Sequence, residues 1–350
     1  MSSPLRFRAG PKARRFIEQN GLHLQDIAAL AGAAGGPKWL VLAGIDRMLA
    51  DWLGERKAPL PMVGASIGSW RFAALAQSNP KAAIDRLENL YIEQAYVGKL
   101  SYRQVTQTAT RLVSDLLGAT GVSDILEHPW ARLHIVTALC RGWTGKDAVV
   151  PMGIGFGAAM ALNTLRRPLL GAFLERHVFA DPREGVLSLA AFPGFSTQLP
   201  ELTAANLPSA LLASGSIPFV MEAVKVQGQS GNYRDGGMVD YHMDLPLSNS
   251  GIVLMPHFSK LLIPGWLDKF VPWRKPRFLE NTLVIHPSDE WIATLPNRKI
   301  PDRKDFEGYR NDDAGRFRDW RLVAQRSEEL ADFLAQRIQR QDIASMIEPL

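Results

Sequence analysis

The stretch Pro61-Met62-Val63-Gly64-Ala65-Ser66-Ile67-Gly68-Ser69-Trp70 contains the clearest indication of how this chain folds. Its apolar first half is typical of a short buried strand, and the apolar residues at 72–75 continue it as a helix. The Gly-x-Ser-x-Gly pattern between them predicts a sharp strand-to-helix turn that presents Ser66. Gly64 and Gly68 permit the tight bend and leave room for a substrate beside the hydroxyl. Two interpretations stay open here, an ordinary small-residue turn and a nucleophile at a helix N-terminus.

The composition is that of an ordinary globular chain with a mild basic excess. The 350 residues are 46% hydrophobic and 21% charged, with a net charge of +5, so a substantial core can form. Cys140 is the single cysteine, which excludes an intrachain disulfide and a multi-cysteine metal site. The N-terminus lacks the apolar run of a secretory signal, and the apolar run 148–162 is shorter than the ~20 residues that cross a bilayer. We therefore expect a buried run and a cytoplasmic location.

A glycine-rich loop, Gly32-Ala33-Ala34-Gly35-Gly36-Pro37-Lys38-Trp39, leads into a helix predicted over residues 37–52. A phosphate loop requires Gly-Lys-Ser/Thr, whereas this lysine stands between a proline and a tryptophan, so nucleotide binding is disfavoured. The loop is then either an ordinary turn or an oxyanion loop. In the second case Gly35 and Gly36 present bare amides close to Ser66.

Strand and helix patterns alternate along most of the chain. Apolar runs typical of strands lie at residues 26–31, 61–63, 133–139, 252–255 and 282–285. Segments with helical periodicity lie at 80–127 and 316–340. This alternation predicts an α/β protein with a three-layer α/β/α arrangement and a mostly parallel central sheet.

No linker divides the sequence, so we expect one domain. It comprises a basic N-terminal leader over residues 1–25, a catalytic core over 26–250, and strands and helices over 251–350 that complete the same domain. Within the core, Asp235 precedes Gly236 and Gly237. An aspartate before two glycines typically caps a turn, and taken alone Asp235 is open to that interpretation.

The glycine loop, the Ser66 turn and the Asp235 turn follow one another in an order that resembles the patatin-like phospholipase family. The matching stretches are Ala34-Gly35-Gly36-Pro37-Lys38, Gly64-Ala65-Ser66-Ile67-Gly68, Ala213-Ser214 to Pro218, and Asp235-Gly236-Gly237. The resemblance covers roughly residues 26–250 and implies the patatin-like fold. It also implies a lipid acyl hydrolase that forms an acyl-serine intermediate, with Ser66 as nucleophile, Asp235 as general base and acid, and neither cofactor nor metal.

The glycine loop departs from the family pattern at three positions. Ala34 stands where the family usually has glycine, Trp39 replaces the glycine after the basic residue, and Pro37 has no amide hydrogen. The resemblance therefore implies oxyanion donors at Gly35 and Gly36, joined by Lys38 or Ile67.

Elementary chemistry sets a geometric condition on the Ser66–Asp235 pair. A serine hydroxyl is a poor nucleophile until a base takes its proton, and a carboxylate of pKa near ~4 is a weak base. Such a pair works only in direct hydrogen-bond contact and in a site dry enough to raise the proton affinity of the carboxylate. We therefore expect the two side chains within hydrogen-bond reach.

Two alternative functions stay open. One is a Ser-His-Asp carboxylesterase that uses His242, His257 or His286, all of which follow Asp235 in the chain. The other is a catalytically silent membrane- or partner-binding protein on the same scaffold, because the altered glycine loop could have lost its function.

Residues 258–278 combine aromatic and basic residues densely. The aromatic members are Trp266, Phe270, Trp273 and Phe278, and the basic members are Lys260, Lys269, Arg274, Lys275 and Arg277. Aromatics suit a bilayer interface and cations suit anionic lipid, whereas the simpler interpretation is a flap packed on the core. We expect a lipid or ester substrate, peripheral contact with anionic membrane through this segment, and no nucleic-acid partner. The sequence leaves the oligomeric state undetermined.

Overall fold

A ten-stranded sheet forms the centre of the part of the chain described by this computed structural model, residues 3–96, 101–183, 192–309 and 312–350. Its strands are β1 (Leu5–Ala9), β2 (Ile27–Gly32), β3 (Leu60–Ala65), β4 (Ala131–Cys140), β5 (Leu174–Ala180), β6 (Thr197–Gln198), β7 (Asn232–Asp235), β8 (Ile252–Pro256), β9 (Thr282–Pro287) and β10 (Ile347–Pro349). They lie in the order β10-β1-β9-β8-β2-β3-β4-β5-β6, and β7 pairs with β4. The central strands β9, β8, β2, β3 and β4 are parallel, whereas β5 and β7 run antiparallel to β4.

Helices cover both faces of the sheet. They are α1 (Pro11–Asn20), α2 (Ala43–Gly54), α3 (Ile67–Leu75), α4 (Pro80–Ile92), α5 (Tyr102–Leu117), α6 (Gly121–Glu127), α7 (Val149–Leu165), α8 (Leu207–Ser214), α9 (Asp289–Ile292), α10 (Asp305–Gly308) and α11 (Asp313–Arg340). Successive strand residues point to opposite faces, so Met62 packs in a core with α2, α3 and α11, and Val63 packs in a second core with α7. The predicted three-layer α/β/α class with a mostly parallel sheet is confirmed.

The N-terminal segment differs from the expected basic leader. Residues 5–9 form β1, which pairs with β9 and β10 inside the sheet, and α1 follows directly. Leu5, Phe7 and Ala9 are buried while the two arginines between them are partly exposed. This alternation of apolar and basic residues is itself a strand pattern, although the arginines suggested a basic leader.

The apolar run 148–162 also differs from its prediction, because it is only half buried. It forms most of α7, whose inner face packs Met152, Phe156 and Ala159 against the sheet. The outer face leaves Val150 and Ile154 largely exposed. A helix that is apolar on every side suits full burial, but α7 is covered on one side only. Among the described residues, no helix combines the length and apolar character needed to cross a bilayer.

The strands β3 and β7 occupy the same position beside β4 and meet end to end. β3 runs parallel to β4 and finishes with Ala65 opposite Val136. β7 runs antiparallel and finishes with Asp235 opposite Thr137, the next residue of β4. The residue that follows β3 and the last residue of β7 are therefore brought face to face.

Candidate active site

Ser66 lies at the turn between β3 and α3 in a backbone conformation that is rare for residues other than glycine. Its φ is 55° and its ψ is −129°, a conformation that persists only where the surrounding structure holds it. The flanking glycines are needed for close packing, since a Cβ on Gly68 would come within 3 Å of the Gly32 carbonyl oxygen. A Cβ on Gly64 would likewise come within 3 Å of the Ser69 amide nitrogen. The backbone strain and the small neighbours are those of a nucleophile turn.

Asp235 is in direct contact with this serine. The Ser66 hydroxyl donates to Asp235 Oδ2 over 2.8 Å, and the Gly237 amide donates to Asp235 Oδ1 over 2.7 Å. Both side chains are almost inaccessible to solvent, at 4% for Ser66 and 7% for Asp235. The structure thus brings together the two residues that the sequence selected, although they are 169 positions apart.

Burial raises the pKa of Asp235 above its ordinary value of 3.8. The nearby Arg303 guanidinium, the hydrogen bonds from Ser66 and Gly237, and the Lys269 ammonium act in the opposite direction and favour the charged form. The net result is a carboxylate of greater proton affinity than an exposed aspartate, in contact with a hydroxyl. That is the condition a weak base must meet to activate serine.

Ser214 holds the Ser66 backbone in place. The Ser66 amide donates to Ser214 Oγ over 2.8 Å, and Ser214 Oγ donates to the Val136 carbonyl oxygen over 2.7 Å. Ser69 Oγ donates to the Ser66 carbonyl oxygen over 2.7 Å, so both backbone polar groups of Ser66 have partners. The sequence showed Ser214 only as part of a matching block, without a role. Its position at the end of α8 depends on a fold that the block does not reveal.

The glycine loop lies beside the dyad. Gly35 and Lys38 line the same cavity as Ser66 and Asp235, and Gly36 begins the 3₁₀ helix Gly36–Leu42 that precedes α2. In a 3₁₀ helix the first bonded amide is that of the third residue, so the amide of Gly36, the first residue, has no partner within the helix and is an available donor. Gly36 has φ 57°, and a Cβ there would crowd the Arg303 guanidinium.

Two cavities meet at Ser66. The apolar cavity, of about 370 Å³, is lined by Ser66 and mainly by hydrophobic side chains, among them Ile67, Trp70, Val105, Ile217, Phe219, Val220 and Phe306. The cationic cavity, of about 220 Å³, is lined by Ser66, Asp235 and Gly35 and by four basic residues, Lys38, Lys269, Arg303 and Lys304. Ser66 lines both cavities, whereas Asp235 lines the cationic cavity and not the apolar one. Arg303 and Glu307 also line the first cavity, so Arg303 borders both, and Ser66 lies where the mainly apolar cavity meets the cationic one.

The sequence did not indicate that Lys269, Arg303 and Lys304 belong to the site, although all three line the cationic cavity. The sequence showed Lys269 only as part of an aromatic and basic segment, and Arg303 as the start of a basic patch. They reach the dyad because loops that follow β8 and β9 pass over the carboxyl ends of the parallel strands, where sites in α/β sheets form. No local motif marks such positions.

The three histidines considered for a Ser-His-Asp triad lie elsewhere. His242, His257 and His286 are buried, and each ring places Nδ1 against backbone atoms of nearby residues. Burial lowers the pKa of His257 to about 3 and that of His242 well below its ordinary range. Among the described residues, no histidine lines either cavity or bonds to Ser66 or Asp235. Nor do the described residues gather three histidine, cysteine or acidic side chains in a way that could hold a metal ion.

Comparison with known protein families agrees with this geometry. A sequence model of the patatin-like phospholipase family matches residues 31–242, more than half of the chain. The chain belongs to the patatin-like phospholipase family. A comparison with curated proteins gave no match. Ser66, Asp235 and the glycine loop lie within the matched region, whereas Lys269 and Arg303 lie beyond it. The family is one of lipid acyl hydrolases, which the apolar cavity beside Ser66 suits.

Proposed function

We propose that this patatin-like phospholipase hydrolyses carboxylic esters of lipids with Ser66 and Asp235 as a catalytic dyad. The observation that carries the proposal is the 2.8 Å hydrogen bond from the Ser66 hydroxyl to Asp235 Oδ2, beside an apolar cavity that Ser66 lines. A cavity of about 370 Å³ with hydrophobic walls suits an acyl chain.

The proposed reaction has two halves. Asp235 accepts the Ser66 proton as Oγ attacks the ester carbonyl carbon, and the resulting tetrahedral intermediate expels the alcohol, which takes that proton from Asp235. A water molecule then attacks the acyl-serine. Asp235 accepts the water proton, and its return to Ser66 Oγ releases the fatty acid and restores the serine.

The glycine loop supplies the proposed oxyanion site. Amides of Gly35, Gly36 and Lys38 lie at the start of a helix beside Ser66, and each well-placed donor contributes about 3–4 kcal/mol to lowering the barrier. Pro37 has no amide, but it occupies the first turn of the helix, where a proline is tolerated. Trp39 is buried against Tyr91 with ring centroids 6.1 Å apart, so it packs behind the loop.

A fluorophosphonate probe tests the proposal without any assumption about the substrate. We expect covalent labelling of the native protein, and peptide mapping should place the adduct on Ser66. The silent-scaffold alternative predicts no labelling of the folded protein, and a Ser-His-Asp esterase predicts labelling that depends on a histidine.

We expect kcat/KM for a neutral ester to fall at acid pH along a limb that lies above pH 3.8, because Asp235 must be ionised and its pKa is raised. Activity is present above the pKa of Asp235 and is lost as pH falls through it. Lys269 lowers this pKa, so Lys269→Gln should move the limb further toward neutral pH. Samples returned to neutral pH must regain full activity to exclude acid unfolding. A limb at or below pH 3.8 would contradict the assignment.

We also propose peripheral contact with anionic membranes from the cytoplasmic side, in keeping with the single cysteine. In the segment 258–278, Phe270 and Trp273 are 60% and 66% exposed, whereas Phe258 is buried. Asp268 of this segment binds Arg167 and Asn163, which ties it to the end of α7. The exposed outer face of α7 and the two aromatics therefore belong to neighbouring elements, with Lys275 and Arg277 nearby on the chain.

Vesicle co-sedimentation checks this contact. We expect Phe270→Ser with Trp273→Ser to reduce binding to anionic vesicles about tenfold or more, since each buried aromatic contributes roughly 1.5–3 kcal/mol. Added salt should weaken binding of the native protein. Leu322→Ser, which alters an exposed leucine on α11, serves as the matched control. Equal binding by the double variant and the control would refute the contact.

A further inference from the structure

The cationic cavity is built to hold negative charge. Four basic side chains and two carboxylates line it, which leaves a net charge of +2 when all are ionised. Of the two carboxylates, Asp235 is engaged by Ser66, and Asp302 is bound by Lys299 and by the Lys304 amide. Among the described residues, Lys38, Lys269 and Arg303 have no carboxylate within 4.0 Å.

Aromatic rings position two of these cations instead of carboxylates. Lys269 Nζ lies 4.0 Å from the Tyr241 ring centroid and 5.8 Å from that of Trp266. Lys38 Nζ lies 5.1 Å from the Phe258 ring centroid. A ring face attracts a cation without neutralising it, so the positive charge remains available to a ligand.

Burial and neighbouring positive charges both act on the two lysines of this cluster. Burial, Lys38 and Arg303 lower the pKa of Lys269 to about 8, and burial with Arg303 and Lys299 lowers that of Lys38. An anion bound among these groups would favour the charged form of both lysines. The net charge of the cluster therefore suits a ligand that carries more than one negative charge.

The position of Asp235 decides which part of a substrate enters this cavity. On the proposed mechanism, Asp235 protonates the departing alcohol, and Asp235 lines only the cationic cavity. The acyl chain is then left to the apolar cavity on the other side of Ser66. The alcohol portion of the ester must therefore lie among Lys38, Lys269 and Arg303.

We propose that the preferred substrates are acyl esters whose alcohol carries a dianionic phosphomonoester close to the ester bond, bound by Lys38, Lys269 and Arg303. This inference rests on the proposed function. A choline headgroup fits less well, because the aromatic faces at Tyr241 and Trp266 that could receive a quaternary ammonium are covered by Lys269. Lys269 and Arg303 lie outside the family match, so the preference is a property of the loops of this chain.

The test compares three octanoyl esters that share the acyl chain: octanoylglycerol, octanoylglycerol phosphate and octanoylglycerophosphocholine. We expect kcat/KM for the phosphate ester to exceed that of each of the other two at least tenfold, since charged hydrogen bonds to a phosphate are worth that much or more. Equal or lower kcat/KM for the phosphate ester overturns the proposal. This comparison needs only the native protein, so no variant has to fold.

The double variant Lys269→Gln, Arg303→Gln assigns the preference to the cluster. We expect the ratio of phosphate-ester to octanoylglycerol kcat/KM to fall about tenfold or more. The ratio cancels any effect on Asp235, because both esters use the same base. Lys57→Gln, before β3 at the opposite end of that strand from Ser66, is the matched control and should keep the native ratio. A parallel fall for both esters would mean that the cations serve only Asp235, which overturns the proposal.

Inorganic phosphate separates failure of this inference from failure of the proposed function. Calorimetry should detect phosphate binding to the native protein and to Ser66→Ala, and the double variant should lose it. If no ester is hydrolysed, the proposed function fails, yet the anion site is still measured by this binding. If phosphate binds but the phosphate ester is not preferred, the site serves a separate anion and the substrate assignment is wrong.

Discussion

Ser66→Ala and Asp235→Asn should each lower ester hydrolysis by at least about 1000-fold, with little change in overall fold. The first change removes the attacking oxygen. The second leaves a side chain of the same shape that accepts no proton, so the hydroxyl stays inactive although a hydrogen bond at 2.8 Å can still form. Initial rates on a soluble short-chain ester, together with fluorophosphonate labelling, check both variants.

The two losses should not be additive, because the residues act as one unit. The double variant should retain about the same residual rate as either single variant. His242→Ala and His257→Ala are informative controls, since both rings lie outside the cavities at Ser66. If either folded histidine variant lost as much activity as Asp235→Asn, a dyad without histidine would be untenable.

Gly68→Ala should destabilise the protein by about 1–3 kcal/mol or more, or prevent folding. The added methyl would lie within 3 Å of the Gly32 carbonyl oxygen, and the backbones of β2 and α3 cannot separate without moving Ser66. Chemical denaturation measures the change in the free energy of unfolding.

Gly157→Ala gives the matched comparison. This glycine lies within α7, and a methyl group added to it would meet nothing within 4 Å beyond its own turns of the helix, so alanine should stabilise the helix by about 0.5–1 kcal/mol. If both substitutions had the same effect, the close approach at Gly68 would not be the reason for a glycine there.

The sequence singled out Ser66 and Asp235, which the structure places in contact, because each lies in a local pattern and the order of these patterns resembles the patatin-like family. Gly-x-Ser-x-Gly specifies the turn at Ser66, and Asp-Gly-Gly specifies the end of β7. The sheet class followed from the alternation of strands and helices in the same way. Where one residue pattern decides one local structure, the prediction from sequence was reliable.

The rest depended on contacts between distant segments. Lys269 and Arg303 are ordinary surface residues in the sequence and become site residues only because two loops cross the same sheet edge. The outer face of α7 could not be told from its inner face, since both are apolar and only the packing partner distinguishes them. The strand β1 was within reach of pattern analysis, but its arginines drew the interpretation toward a leader.

Because β3 and β7 meet end to end, we expect the contact between Ser66 and Asp235 to form late in folding. The nucleophile turn is local to residues 60–75, but its base arrives on a four-residue strand from 169 positions further along. Closing so long a loop is slow relative to forming local structure. On the proposed mechanism, a partly folded chain carries the serine without its base and stays inert until the sheet is complete.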